Sequence, residues 1–333
     1  MKSKLGIGCS ILVCVFISLL EAADELVVYS GRSKSLVDPI IKQFGKESGI
    51  KIKVKYGNTA QLALTLMEEG DKSPADLFWA QDGGALGALS KRGQLAELPS
   101  NILSLVPKKF RASSKQDWVA TSGRARVIAY ATNHVKPEEV PNSVFALTDP
   151  TWKGRIGWAP RNASFQSFIT AMRILAGEGK TESWLQAMKD NGTKSYPKNT
   201  PIIQALAAGE IHLGLPNHYY LLRFKKSNSK FPVNQKPFQA GDPGNLVNIA
   251  GVGILKTSQH PKLAQQLVRY LLSAKAQQYF SSQVFEYAVT DQVIPTPQLL
   301  SLDELEYLAP SINLSQLDDT EGTLKLLRRV GLL

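Results

Sequence analysis

Residues 26–89 read LVVYSGRSKSLVDPIIKQFGKESGIKIKVKYGNTAQLALTLMEEGDKSPADLFWAQDGGALGAL. Apolar runs with strand character alternate here with segments whose apolar residues recur at helical spacing. The predicted strands span residues 26–29, 50–56 and 75–80, and the predicted helices span residues 36–44, 59–70 and 85–89. This alternation predicts an α/β fold, in which a parallel sheet carries helices on its faces.

Two turns of this stretch, residues 30–33 and 81–84, fall at the carboxyl ends of predicted strands. Ligands of open α/β sheets bind beyond those ends. Both turns consist largely of Gly, Ser and Asp, which ordinary connections also favour. The sequence therefore leaves two interpretations open for each turn, a ligand-binding turn and a plain connection.

A second α/β stretch follows, and its turns carry small polar residues. Asn162 and Ser164 precede a helix predicted from Phe165, and a helix N-terminus attracts anions through its free N–H groups and dipole. Asn199 lies in a loop before the next predicted helix. A long apolar strand is predicted at residues 246–255.

Residues 215–220 read LPNHYY and follow an apolar segment that predicts a short buried strand. A phenolate is a hard anionic oxygen donor, and such donors suit hard, highly charged cations. Tyr219 and Tyr220 are therefore candidate metal ligands. The alternative is that the pair packs in the core, since tyrosine buries its ring and hydrogen-bonds its tip.

The first 23 residues predict a secretory signal peptide; the alternative is a retained membrane anchor, for which the apolar run is short. Lys2 and Lys4 precede the apolar run of residues 7–20, and Ala22 and Ala23 follow near a cleavage point. Both cysteines of the chain lie in this segment, so the mature protein has no disulfide and no cysteine metal site. Export predicts a periplasmic protein.

The 333 residues carry a formal net charge of +11. The lysines are scattered and the chain is exported, which disfavours nucleic acid as a partner. A basic surface suits an anionic ligand or an acidic docking partner. The four histidines are scattered, no phosphate-binding glycine loop occurs, and no nucleophile is paired with a base. The sequence therefore predicts a binding protein and not an enzyme.

Four motifs occur together and in order: VVYSGRSKSLVDPIIKQF at 27–44, SPADLFWAQDGGALGALSKRG at 73–93, GWAPRNASFQSFITAMR at 157–173 and NHYY at 217–220. They resemble the periplasmic ferric-ion-binding proteins of ABC iron importers, which are type II periplasmic binding proteins. The resemblance implies that two lobes close on a ferric ion and that Tyr219 and Tyr220 coordinate it. It also implies a synergistic anion, carbonate or phosphate. The positions that match the anion site are Arg32, Ser33, Asn162, Ser164, Asn199 and Asn217.

The chain departs from the family pattern in the first lobe. Ser33 and Lys34 stand where many members carry histidine or His-Tyr, and Gln81 stands where others carry glutamate. Asp82 is the nearest replacement as a metal ligand. Tyr29 is a further candidate, with burial in the sheet as its alternative. If neither residue binds the metal, oxygens of a bound anion or of water are expected to complete its coordination shell.

These observations predict a two-lobed type II periplasmic-binding-protein fold with hinge strands and a central cleft. Lobe 1 is expected at residues 24–124 plus 251–294, lobe 2 at 125–250, and a helical tail at 295–333. The expected function is capture of ferric iron by a monomer and its delivery to an inner-membrane ABC permease. The alternative is a carrier of a small anion or organophosphonate whose pocket the tyrosines merely line.

Overall fold

The computed structural model describes residues 25–333 except Ser113 and Pro295. The predicted signal peptide and both cysteines lie outside the described residues. None of the helices in the described part is long and apolar enough to cross a membrane.

The helices and strands follow one another in three groups along the chain. The first group comprises β1 (Glu25–Ser30), α1 (Lys34–Ser48), β2 (Lys51–Tyr56), α2 (Thr59–Glu69), β3 (Leu77–Ala80), α3 (Gly83–Lys91), α4 (Ser100–Leu103) and β4 (Trp118–Ala125). The second comprises β5 (Ile128–Ala131), β6 (Ile156–Trp158), α5 (Ala163–Ala176), α6 (Glu178–Asp190), β7 (Lys194–Ser195), α7 (Asn199–Ala207), β8 (Leu213–Gly214), α8 (His218–Ser227) and β9 (Val233–Lys236). The third comprises β10 (Val247–Ile254), α9 (Pro261–Leu271), α10 (Ala274–Tyr279), α11 (Leu302–Leu308) and α12 (Thr320–Arg329).

The first sheet has the strand order β2-β1-β3-β10-β4, and β1 pairs in parallel with both β2 and β3. The predicted strand–helix alternation is therefore confirmed. Helix α1 buries Leu36, Ile40 and Phe44 on one face. It ends at Gly49, whose φ of 73° lies in the left-handed region that glycine adopts without strain.

The second sheet has the order β7-β6-β8-β5-β9 and mixes parallel with antiparallel pairs. Each sheet carries its own hydrophobic core, and Trp79 and Trp158 are fully buried in the first and second core respectively. Two sheets with separate cores confirm the predicted α/β architecture.

The chain passes between the sheets along β4 and β10, which pair antiparallel from Val247 opposite Ala125. The predicted hinge segments therefore lie side by side. Residues 247–250, which the prediction gave to lobe 2, belong to the first sheet, because β10 pairs with β4 from its first residue. The boundary between the two lobes remains a prediction.

The last 30 residues return to the second core. Leu326 and Leu327 of α12 are buried there, and the hydroxyls of Thr323 and Thr170 lie 2.7 Å apart. The same tail also reaches the first sheet's side, since a Cβ at Gly84 of α3 would overlap the Leu317 carbonyl oxygen. The tail therefore contacts both halves of the molecule.

Candidate metal and anion site

The tyrosine pair lies in the first turn of α8 and not at a strand end. Strand β8 stops at Gly214, and residues 215–217 lead into the helix. The rings of Tyr219 and Tyr220 stack with centroids 4.2 Å apart and planes inclined by 28°. Tyr219 is 1% exposed, whereas Tyr220 is half-buried. The two phenols are thus side by side at the start of one helix.

His218 fixes the start of this helix against the crossing strands. Its Nδ1 accepts the Ala125 N–H at 3.1 Å, and its Nε2 donates to the Phe285 carbonyl at 2.7 Å. Burial lowers the pKa of His218 to about 4, so the ring is neutral at pH 7 with its proton on Nε2. His218 is consequently a positioning residue for Tyr219.

Three arginines, Arg32, Arg124 and Arg126, are fully buried beside the phenols. Arg32 follows β1, Arg124 lies in β4, and Arg126 comes directly after its last residue, Ala125, whose N–H donates to His218 beside Tyr219. Tyr219 and the three arginines influence one another's pKa, so they lie within electrostatic range of each other. Burying three guanidinium groups together is costly unless charge or hydrogen bonds compensate them.

Each arginine is held by part of its guanidinium only. Arg124 Nη2 donates to the Ile249 carbonyl at 2.9 Å, and Arg126 uses both Nη atoms on the Leu215 and Ser164 carbonyls. Among the described residues, these three arginines have five buried nitrogens without a hydrogen-bond partner: Nε and Nη1 of Arg32, Nε and Nη1 of Arg124, and Nε of Arg126. Unpaired buried donors on charged groups indicate a site for an anion.

Glu286 pairs with Arg32, and both side chains are fully buried. Arg32 Nη2 lies 2.7 and 2.8 Å from the two carboxylate oxygens, and the Ser122 hydroxyl donates to one of them. Burial raises the pKa of Glu286, but Arg32, Arg124 and Ser122 more than offset it, so the net pKa is lowered. The carboxylate is therefore ionised at neutral pH.

The predicted anion residues of the second half do come together. Asn162 caps α5 by accepting the Ser164 N–H at 3.0 Å and the Ser164 hydroxyl at 2.7 Å. Asn199 Nδ2 lies 3.5 Å from that hydroxyl, and its buried Oδ1 has no partner among the described residues. Arg126 joins this group through the Ser164 carbonyl. The buried Asn217 forms the N-cap of α8, and its backbone bridges to that of Arg126.

The candidate ligand-binding residues of the first lobe do not all lie in the arginine cluster. Arg32 is in the cluster described above, whereas Ser33 is exposed at the start of α1. Asp82 caps α3, with Oδ1 accepting the Ala85 N–H at 3.0 Å, and burial raises its pKa. The Asp82 carboxylate is thus engaged in the helix cap, and within the described part of the chain no hydrogen bond joins it to Tyr219 or Tyr220.

Tyr29 is buried in β1, and its hydroxyl is bonded to a carboxylate of α2. Its hydroxyl donates to Glu69 at 2.9 Å, and Lys55 lies over its ring at 4.3 Å. Burial and the bond to Glu69 raise the pKa of Tyr29 to about 12. The alternative stated from the sequence, burial in the sheet, fits this geometry better than a role as a metal ligand, because the donor oxygen is already committed to a carboxylate.

Sequence reasoning missed Arg124, Arg126 and Glu286. The sequence does contain a signal for the two arginines, because they are charged residues inside an apolar strand pattern.

Burial raises the pKa of Tyr219 above its ordinary value, the neighbouring Tyr220 adds to this, and Arg124 opposes it. A protonated phenol thus needs a metal's charge to become a phenolate at neutral pH. Across the described ranges, no three His, Cys, Asp or Glu side chains cluster as a metal site.

The sequence and the fold are those of a known family. The model of bacterial extracellular solute-binding proteins matches residues 26–286. The chain belongs to this family. The solute-binding protein is 32% identical over 332 residues to the major ferric iron-binding protein of Neisseria meningitidis serogroup B, with 99% of each chain covered. The prediction of a binding protein and not an enzyme is confirmed.

Two solved structures show the same fold as this solute-binding protein. Iron-bound HitA from Pseudomonas aeruginosa superimposes with a TM-score of 0.88 and 33% identity, covering 93% of this chain and 100% of that one. A Trichodesmium protein (IdiA, FutA) in complex with iron and citrate gives a TM-score of 0.77 and 29% identity, with 93% and 100% covered. These matches confirm the two-lobed periplasmic-binding-protein fold.

Proposed function

We propose that this solute-binding protein captures ferric iron together with an anion in the periplasm and delivers it to an inner-membrane ABC permease. The observation that carries the proposal is the stacked phenol pair of Tyr219 and Tyr220, one ring fully buried, in a chain related over nearly its whole length to a ferric iron-binding protein. Two phenolate oxygens are hard donors that match a hard trivalent cation.

The anion is supported by the five unpaired arginine nitrogens. Three guanidinium groups face one paired carboxylate, so the cluster carries excess positive charge even if Asp82 is counted as ionised. That charge repels a bare ferric ion. An anion held by the arginines would remove the repulsion and would add oxygen ligands that two tyrosines cannot supply.

The size of the anion depends on how far the cleft opens. Arg32, Arg124, Arg126 and Tyr219 are all at most 2% exposed, so an anion reaches the unpaired nitrogens only when the two halves separate. Carbonate offers two chelating oxygens in a small volume, and phosphate is the larger alternative. Citrate, which accompanies iron in the Trichodesmium structure, would need the cleft to be more open.

The visible spectrum of the purified protein tests the metal, because ferric phenolate complexes absorb visible light. Ferric citrate is added to protein freed of iron, in buffer that contains carbonate. We expect a broad visible band that saturates at one iron per chain and is absent from the Tyr219→Phe/Tyr220→Phe double variant. A protein that stays colourless at saturating ferric iron contradicts the proposal.

The three arginines also support a second function, the binding of a phosphate or phosphonate without a metal. Three buried guanidinium groups with free donors, beside Asn162, Ser164 and Asn199, suit a phosphate or phosphonate group without any metal. In that case the tyrosines line the pocket. Calorimetry with phosphate and with methylphosphonate, both without iron, separates the two functions, since a metal carrier binds these anions weakly when iron is absent.

A further inference from the structure

Glu286 is the buried carboxylate of the site, and it is held from two sides. Arg32 Nη2 contacts both of its oxygens, and the Ser122 hydroxyl donates to one. Its side chain is 0% exposed. These contacts leave Nε and Nη1 of Arg32 free for a ligand, so Glu286 holds the arginine without using up its donors.

The chain on either side of Glu286 contacts the start of the tyrosine helix. Phe285 has a φ of 61°, in the left-handed region, and its carbonyl accepts from His218. The Tyr287 ring lies 4.6 Å from the His218 ring, and the Tyr287 backbone pairs with Gly123. The segment 285–287 therefore sets the carboxylate at the junction of Arg32, the crossing strands and His218.

We infer that Glu286 determines specificity: its charge makes the site prefer a metal–anion pair over a free anion. The inference rests on the proposed function. With the carboxylate ionised, Arg32 is neutralised in place, which weakens the attraction for an anion alone and lessens the repulsion of a trivalent cation. Without that charge, the same three arginines would form a stronger anion trap that rejects the metal.

The variant Glu286→Gln removes the charge and keeps the shape and an acceptor oxygen. We expect ferric affinity in carbonate buffer to fall about 10- to 100-fold, the range usual for groups that orient metal ligands. We expect the affinity for phosphate without iron to rise. The ratio of the two affinities, from competition with a ferric chelator and from calorimetry, is the measured quantity. Equal changes in both affinities, or no change in either, overturn the inference.

Two matched controls separate charge from structure. Ser122→Ala removes the second hydrogen bond to Glu286 and keeps its charge, so the ratio should stay near that of the wild type. Glu69→Gln makes the same charge change away from the arginines, where Glu69 bonds to Tyr29 and Ser73, and should also leave the ratio unchanged. A shift of the ratio in either control contradicts a specific role for the Glu286 charge.

Glu286→Gln leaves the Arg32 charge buried without its ionic partner, which lowers the stability of the fold. A second variant therefore separates a loss of folding from a loss of specificity. The double variant Arg32→Gln/Glu286→Gln removes both charges and keeps the net charge of the site. Its ratio should return toward the wild-type preference for metal, and a ratio that favours free anion overturns the inference. If the wild type itself binds no ferric iron, the proposed function fails; if the wild type binds iron and the ratio is insensitive to Glu286, only the present inference fails.

Discussion

The two sides of the site carry different chemistry. On the side of the second sheet, α8 presents two adjacent phenols, which are metal donors. On the side of the first sheet, Arg32 and Glu286 form a closed ion pair, Asp82 is engaged in a helix cap, and Tyr29 is bonded to Glu69. The comparison teaches that the candidate metal donors lie on one side only, whereas candidate anion donors lie on both, with Arg32 on the first side and Arg126 beside Ser164 on the second. A ligand that satisfies all of these groups contains both a cation and an anion.

The largest effect should come from the phenols. Tyr219→Phe or Tyr220→Phe removes one donor oxygen and keeps the ring, so ferric affinity should fall more than about 100-fold, beyond the usual loss for indirect groups. Tyr29→Phe is the matched control on the other side and should leave ferric affinity unchanged. Chelator competition measures all three. If Tyr29→Phe abolishes binding, the first side supplies a metal donor and the comparison is wrong.

Acid should release the metal, because protons compete for the same oxygens. The pKa of Tyr219 lies above its ordinary value through burial, so this phenol is protonated before iron binds and must lose its proton to bind. Ferric affinity should therefore fall as the pH falls, by about two orders of magnitude per pH unit if both phenols ionise. Chelator competition from pH 8 to pH 5 measures the slope. Tyr220→Phe should halve it, and an unchanged slope would show that the phenols are not the groups that lose protons.

The anion donors are tested by Arg124→Gln. Arg124 has two free donors and makes no ion pair among the described contacts, so the change removes anion donors without stranding an acid. Ferric affinity in carbonate should fall about 10- to 100-fold, and affinity in anion-free buffer should change little. The same loss in both buffers would mean that Arg124 acts on the metal site without any anion.

The sequence predicted the parts of the site that are local. The phenol pair, the Asn162–Ser164 helix start and Arg32 each stand in a short motif that resembles the family, and the strand–helix pattern predicted the first sheet. Whether the turns at residues 30–33 and 81–84 bind a ligand was left open by the sequence. Glu286 could not be found in this way, because it meets Arg32 across 254 positions of the chain. Arg124 and Arg126 have a visible signal, but the partners that hold them come from Ile249, Leu215 and Ser164. Residue type and position make Asp82 and Tyr29 candidate metal ligands. In the structure the Asp82 carboxylate caps α3, and the Tyr29 hydroxyl donates to Glu69.

The smallest expected effect is on stability, at the contact between the C-terminal tail and α3. The tail packs through α12 in the second core and meets α3 of the first half at the Leu317 carbonyl. In Gly84→Ala the new Cβ overlaps the Leu317 carbonyl, and Leu317 is itself buried, so stability should fall by about 1–3 kcal/mol. Gly83→Ala is the matched control, since its Cβ would lie 3.5 Å from the Leu314 carbonyl, an ordinary contact. Urea unfolding compares the two. Equal stability in both variants would mean that the tail does not press on α3.

The most direct test of a site that joins metal donors with anion donors is ferric loading with the anion controlled. The wild-type protein is titrated with ferric iron in buffer stripped of carbonate and phosphate, and then with each anion added back. The account predicts weak binding without an anion and tight binding with it, carbonate being more effective than phosphate. Equally tight binding in the stripped buffer would contradict it and would mean that protein side chains alone complete the iron's shell.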